Sequence, residues 1–146
     1  MSMSYWMIEG IGFNANKIKP HLNIGKVVGF FSKQFPDEAD LRMMIFTGNH
    51  SDFDIDDYLY GNGFEDLADV LCHCDDTDTL TFCDDGDGNC YFYYPPSMPW
   101  DRMDNDPKSE QEVIDRIIAA TQKITDLSAE EITSMIDKDL YVVGMG

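Results

Sequence analysis

The chain has 146 residues, 43% of them hydrophobic, with ten Lys and Arg against 28 Asp and Glu and a net charge of −18. Length and apolar content suit one domain, residues 1–146, with one core, and they exclude a disordered chain. The charge argues against direct binding of nucleic acid, which rests on Lys and Arg neutralising phosphates, and against anionic membranes.

The N-terminus, MSMSYWMIEG, lacks the basic start and apolar stretch of a secretory signal. No apolar run approaches the roughly 20 residues of a membrane span. With four cysteines, the expectation is a reducing cytoplasm. Residues 5–13, YWMIEGIGF, read as a first strand, with Tyr5, Met7, Ile11 and Phe13 on one face and Trp6 and Ile8 on the other. Gly10 and Gly12 signal a bulge or the close approach of another backbone.

Asn14 or Asn16 caps a short turn, and Asn23 caps a helix over 24–35 with an apolar stripe at Ile24, Val27, Val28, Phe31 and Phe35. Lys17, Lys19, Lys26 and Lys33 are the chain's one basic cluster and read as a solvated face. Residues 41–47 lean to helix, with a fifth strand as the alternative. Residues 51–60, SDFDIDDYLY, are acidic with interleaved aromatics, and 64–72 show one apolar helical face.

Residues 79–83 and 90–94 form a hairpin: the first run alternates polar and apolar, and the second is rich in aromatics. Asp85-Gly86 and Asp87-Gly88 compete for the turn. Its alternating oxygens invite a calcium reading, but the loop lacks the glycine and glutamate spacing of an EF-hand and sits between strands. Cys72, Cys74, Cys83 and Cys90 are weak metal ligands. Zinc sites pair their ligands about two to four residues apart. Here one residue separates the first pair and six the second. Inert thiols are the leading reading. No cofactor is expected, with zinc or calcium as the weak alternative.

Residues 95–100, PPSMPW, read as a rigid crossover and 101–108 as a polar connector. Ser109 to Glu112 and Ser128 to Glu131 are capping boxes that open helices running to about 124 and 138. A last strand covers 140–143. The fold expected is α+β: a small antiparallel or mixed sheet of about four strands packed by four to five helices.

No P-loop, GxSxG or HExxH pattern occurs, and an enzyme is the lesser expectation. Its most concrete form is a divalent-metal hydrolase using Asp52, Asp54, Asp56 and Asp57, or a metal-stabilised domain. Residues 43–100 hold thirteen acidic side chains and no Lys or Arg. That distribution points to a non-enzymatic binding protein that occludes a basic, nucleic-acid-handling surface of another protein, as an inhibitor or immunity protein. Its partner-binding residues are expected to be Asp52, Asp54, Asp56, Asp57, Asp75, Asp76, Asp78, Asp84, Asp85 and Asp87, with Tyr58 and Tyr60 as anchors. The bland alternative is an accessory protein whose charge serves solubility alone.

Overall fold

A computed structural model describes residues 4–34, 64–95 and 106–146. The described residues form an α+β fold around one antiparallel sheet. Its strands are β1 (Tyr5–Asn14), β2 (Thr81–Asp84), β3 (Cys90–Tyr94) and β4 (Asp137–Met145), in the order β2-β3-β1-β4. The helices are α1 (Ile24–Gln34), α2 (Leu67–Cys74), α3 (Glu110–Gln122) and α4 (Ala129–Met135), and a 3-10 helix spans Ala15–His21. No described helix is long and apolar enough to cross a membrane. The alternative strand at 41–47, the crossover beyond Pro95 and most of the polar connector lie outside the described residues.

β1 is central because both of its sides carry partners, β3 in register Phe13↔Phe92 and β4 in register Ile8↔Val142. Its glycines do both things their positions suggest. Gly10 has φ +147, and a Cβ there would fall 1.9 Å from the Tyr94 carbonyl oxygen. The β1–β4 register shifts between Gly10 and Gly12, so the bulge and the close approach coincide.

Alternation along the strands builds two apolar clusters. Phe13, Cys90 and Phe92 join the main core with Ile18, Leu67, Leu71, Ile117, Ile124 and Ile132. The Phe13 and Phe92 rings meet edge to face at 6.2 Å. The opposite face gathers Ile8, Tyr93 and Leu140, with Trp6, Cys83, Tyr91 and Val142 packed against them. This second cluster is enclosed because the sheet curls on itself. The Met145 N–H, at the end of edge strand β4, donates to the carbonyl of Asp85, just past edge strand β2, at 3.1 Å. The Trp6 indole N–H donates to the Asp84 carbonyl at 2.8 Å. The hairpin turn thus joins the two edges of the sheet.

Helix ends follow the local chemistry. Ser109 accepts from the Glu112 N–H, while the Glu112 carboxylate turns to the Lys108 N–H instead of closing the box. Ser128 and Glu131 form the full reciprocal box. α2 starts at Leu67, later than the apolar face beginning at Phe64 suggests, because Asp66 is the cap. Lys26 departs from the solvated-face reading. Its ammonium donates to the carbonyls of Gln122 (3.1 Å) and Thr125 (2.7 Å), closing the C-terminal end of α3, where a cation suits the helix dipole. Thr121 lies on the buried face of α3 and satisfies its hydroxyl on the Ile117 carbonyl, one turn back.

Candidate acidic binding surface

The carboxylates singled out from the sequence divide into three groups. Asp52, Asp54, Asp56 and Asp57, with Tyr58 and Tyr60, lie outside the described residues. Asp75, Asp76 and Asp78 occupy the connection between α2 and β2. Asp84, Asp85 and Asp87 occupy the hairpin turn at the far end of β2. The last two groups therefore sit at opposite ends of one strand.

The α2–β2 group is largely committed to the fold. One Asp75 oxygen accepts from the backbone and hydroxyl of Thr77, the other from the N–H groups of Thr79 and Leu80. Burial alone would raise the Asp75 carboxyl, but these four donors outweigh it and hold the group below the ordinary carboxylate range. Asp76 is exposed and meets Lys123 at 2.6 Å, a surface pair that reduces its charge but adds little stability. Asp78 is exposed and holds φ +55, a left-handed conformation that Asp tolerates better than most residues. Arg116 donates to Thr79 and pairs with Glu112 close by. This end of β2 thus mixes both signs of charge.

The hairpin end is different. Asp85 is buried and organises its own turn: one oxygen accepts from the Asp87 and Asn89 N–H groups, the other from the Asn89 side-chain amide. Burial pushes its carboxyl up, but hydrogen bonds from the Asn89 side chain and the turn backbone win and hold it below the usual range. Asp84 and Asp87 stay exposed. Across from them stands the N-terminus of α2. There Asp66 accepts from the Asp69 N–H at 2.9 Å, and Asp69 accepts from the Glu65 N–H at 3.0 Å. His73 sits one turn on, 3.4 Å from the Asp69 carboxylate and edge-on to Phe64.

Between the turn, the 3-10 helix and the start of α2 lies a cleft of about 510 Å³. Glu65, Asp66 and Asp84 line it, and Lys19 is the one cation among its lining residues. Burial raises the Asp66 carboxyl, and the neighbouring charges of Asp69, Glu65 and Asp84 raise it further, against the hydrogen bond from Asp69. Sequence reasoning passed over Glu65 and Asp66. The signal was present as an Asp66-x-x-Asp69 cap ahead of an apolar run, but its proximity to the hairpin is a tertiary fact.

The thiols do not converge. Cys72 and Cys74 belong to α2. Cys83 and Cys90 sit on neighbouring rungs of the hairpin but on opposite faces of the sheet, one in each apolar cluster. Cys83 and Cys90 therefore do not face each other across the hairpin: adjacent rungs of a pleated ladder point opposite ways, and all four thiols are free. Among the described residues no three His, Cys, Asp or Glu side chains come together as a metal site. Burial raises the Cys74 thiol to about 12 and the Cys90 thiol to about 11, and burial with nearby aspartates raises Cys72 further. Native protein at neutral pH is therefore expected to react with iodoacetamide at these three positions at least tenfold more slowly than urea-unfolded protein. Mass-spectrometric labelling checks this; equal rates would show that the α2 packing is open. Comparison with protein-family models, curated proteins and solved structures finds no match to this chain.

Proposed function

We propose that this chain is an acidic, non-enzymatic binding protein that occludes a basic, nucleic-acid-binding surface of a partner protein, as an inhibitor or immunity protein acting in the cytoplasm. The observation that carries it is the cleft at the hairpin end, lined by Glu65, Asp66 and Asp84, where burial first and then the charges of Asp69, Glu65 and Asp84 raise the Asp66 carboxyl. Carboxylates held together against their mutual repulsion are relieved by an incoming cation, so a Lys- or Arg-rich surface gains there what no anion can. The net charge of −18 would steer such a partner in from a distance. The exposed Asp84 and Asp87 stand where phosphates would otherwise meet it. Asp75 and Asp85 serve this surface indirectly, by holding the two loops in shape.

The test is capture of partners from the native source at about 50 mM and about 500 mM salt, followed by association kinetics with the purified partner. The triple variant Glu65→Lys, Asp84→Lys, Asp87→Lys is expected to slow association at least tenfold at low salt. An association rate that ignores both salt and these three reversals overturns the reading.

A further inference from the structure

The outer face of the β1/β4 ribbon exposes Tyr5, Met7, Tyr141, Val143 and Met145, each between 45% and 64% accessible. The strand register makes them one stripe, since Tyr5 pairs with Met145 and Met7 with Val143. No described helix packs on it. A solvated antiparallel face ordinarily carries polar side chains, so a contiguous apolar stripe on so charged a chain marks an interaction surface.

Its surroundings narrow the occupant. At one end the Met145 N–H donates to the Asp85 carbonyl, which brings the hairpin turn that carries the exposed Asp84 and Asp87 to that end of the stripe. At the other end Glu9 pairs with Tyr141, and Asp137 and Asp139 follow on β4. Lys138, between them, is paired with Glu110 at 3.1 Å. There the stripe opens into a shallow cleft of about 430 Å³, with Ile11, Tyr94 and Tyr141 offering apolar surface and Glu9 and Asp139 carboxylates; Lys138 also lines it, its charge offset by Glu110. That combination fits a Lys or Arg side chain, its stem on the aromatics and its head at the carboxylates. A second copy of this chain would bring another −18 of charge against the same carboxylates, and an anionic membrane would be repelled in the same way.

We infer that the outer face of the β1/β4 ribbon is the docking surface for a basic protein segment that lays an apolar strip along Tyr5, Met7, Val143 and Met145 and seats a Lys or Arg between Glu9, Asp139 and Tyr141. The inference deepens the occlusion reading and rests on it. It supplies the apolar anchors that carry affinity, while the acidic cleft supplies steering.

The experiment uses the full chain and two peptide probes, an octalysine and an eight-residue peptide alternating Lys and Val, followed by amide chemical-shift perturbation and titration. The Lys-Val peptide is expected to shift the amides of residues 5–9 and 139–145 and to bind at least tenfold tighter than octalysine. The double variant Met7→Thr, Val143→Thr keeps strand-forming side chains at both positions and is expected to retain the wild-type melting curve while losing that tenfold preference. Equal binding of both peptides, with shifts confined to residues 65–66 and 84–87, overturns this inference and leaves the occlusion reading standing. Binding of neither peptide overturns both. Sedimentation showing a dimer that the double variant dissociates assigns the stripe to a second copy and overturns the basic-partner inference.

Discussion

Replacing Phe92 with alanine is expected to cost about 3–5 kcal/mol. Phe92 is fully buried at the middle of β3, pairs with Phe13 on β1 and Phe82 on β2, and touches the Phe13 ring edge-on. Deleting its ring removes the transfer free energy of the buried carbons and leaves a cavity that rigid neighbours on both strands cannot close. The edge-to-face contact with Phe13 adds about 0.5–1.5 kcal/mol to what area alone would lose. Total stability of a domain this size is about 5–15 kcal/mol, so about a fifth of it or more would go. Thermal unfolding by circular dichroism should show the midpoint fall by about 10–20 °C. Phe82→Ala, at a partly buried position on the same rung, should cost distinctly less. Equal losses at the two positions would contradict the burial assigned to Phe92.

Asp85→Ala is expected to destabilise the protein by about 2–4 kcal/mol, because it strands three donors of the hairpin turn at once. The turn also holds the closure of the sheet. Gly86 has φ +82, and a Cβ there would fall 1.8 Å from the Met145 carbonyl oxygen, so turn and β4 are in backbone contact. Losing the Asp85 network should therefore loosen β4 as well, and hydrogen exchange should report faster amides at residues 143–145. The pH dependence gives a second readout. Asp85 is held below the ordinary carboxylate range, so its share of stability is complete above that range and is lost as pH falls through the folded-state value. Asp75 contributes with the same sign. The wild type should lose stability on acidification below about pH 4, and Asp85→Ala should lose less over the same window. An identical acid profile for the two proteins would show that the Asp85 carboxylate does not hold the turn.

Much of the architecture was legible in the residues because local chemistry and periodicity carry it. The alternation over 79–83 and the aromatic run at 90–94 placed the hairpin, and the helix caps at Asn23, Ser109 and Ser128 were readable from the cap residues. Strand β4 is longer than its apolar run because it pairs in register with β1 through Asp137 and Met145, a choice made by the partner strand. Lys26 could not be read as a helix cap, since the carbonyls it closes belong to residues 122 and 125.

The candidate surface divides in the same way. Its charge was visible as an interval without Lys or Arg, because charge is a property of composition. Which carboxylates stay free was not visible. Asp75 and Asp85 look like Asp76 and Asp87 along the chain, and hydrogen bonds to neighbouring backbone in the folded loops distinguish them. The apolar stripe was hidden for a stronger reason. Tyr5 and Met7 alternate as core residues would, and so do Tyr141 and Val143; only the curl of the sheet, pinned by the bond from Met145 to Asp85, leaves their side of the ribbon in solvent. Sequence by itself determined the strands, the caps and the excess of negative charge, all of which act over a few residues or over the whole chain. Tertiary structure alone decided which carboxylates are spent on turns and which apolar face stays uncovered, because both depend on contacts between segments far apart in the chain.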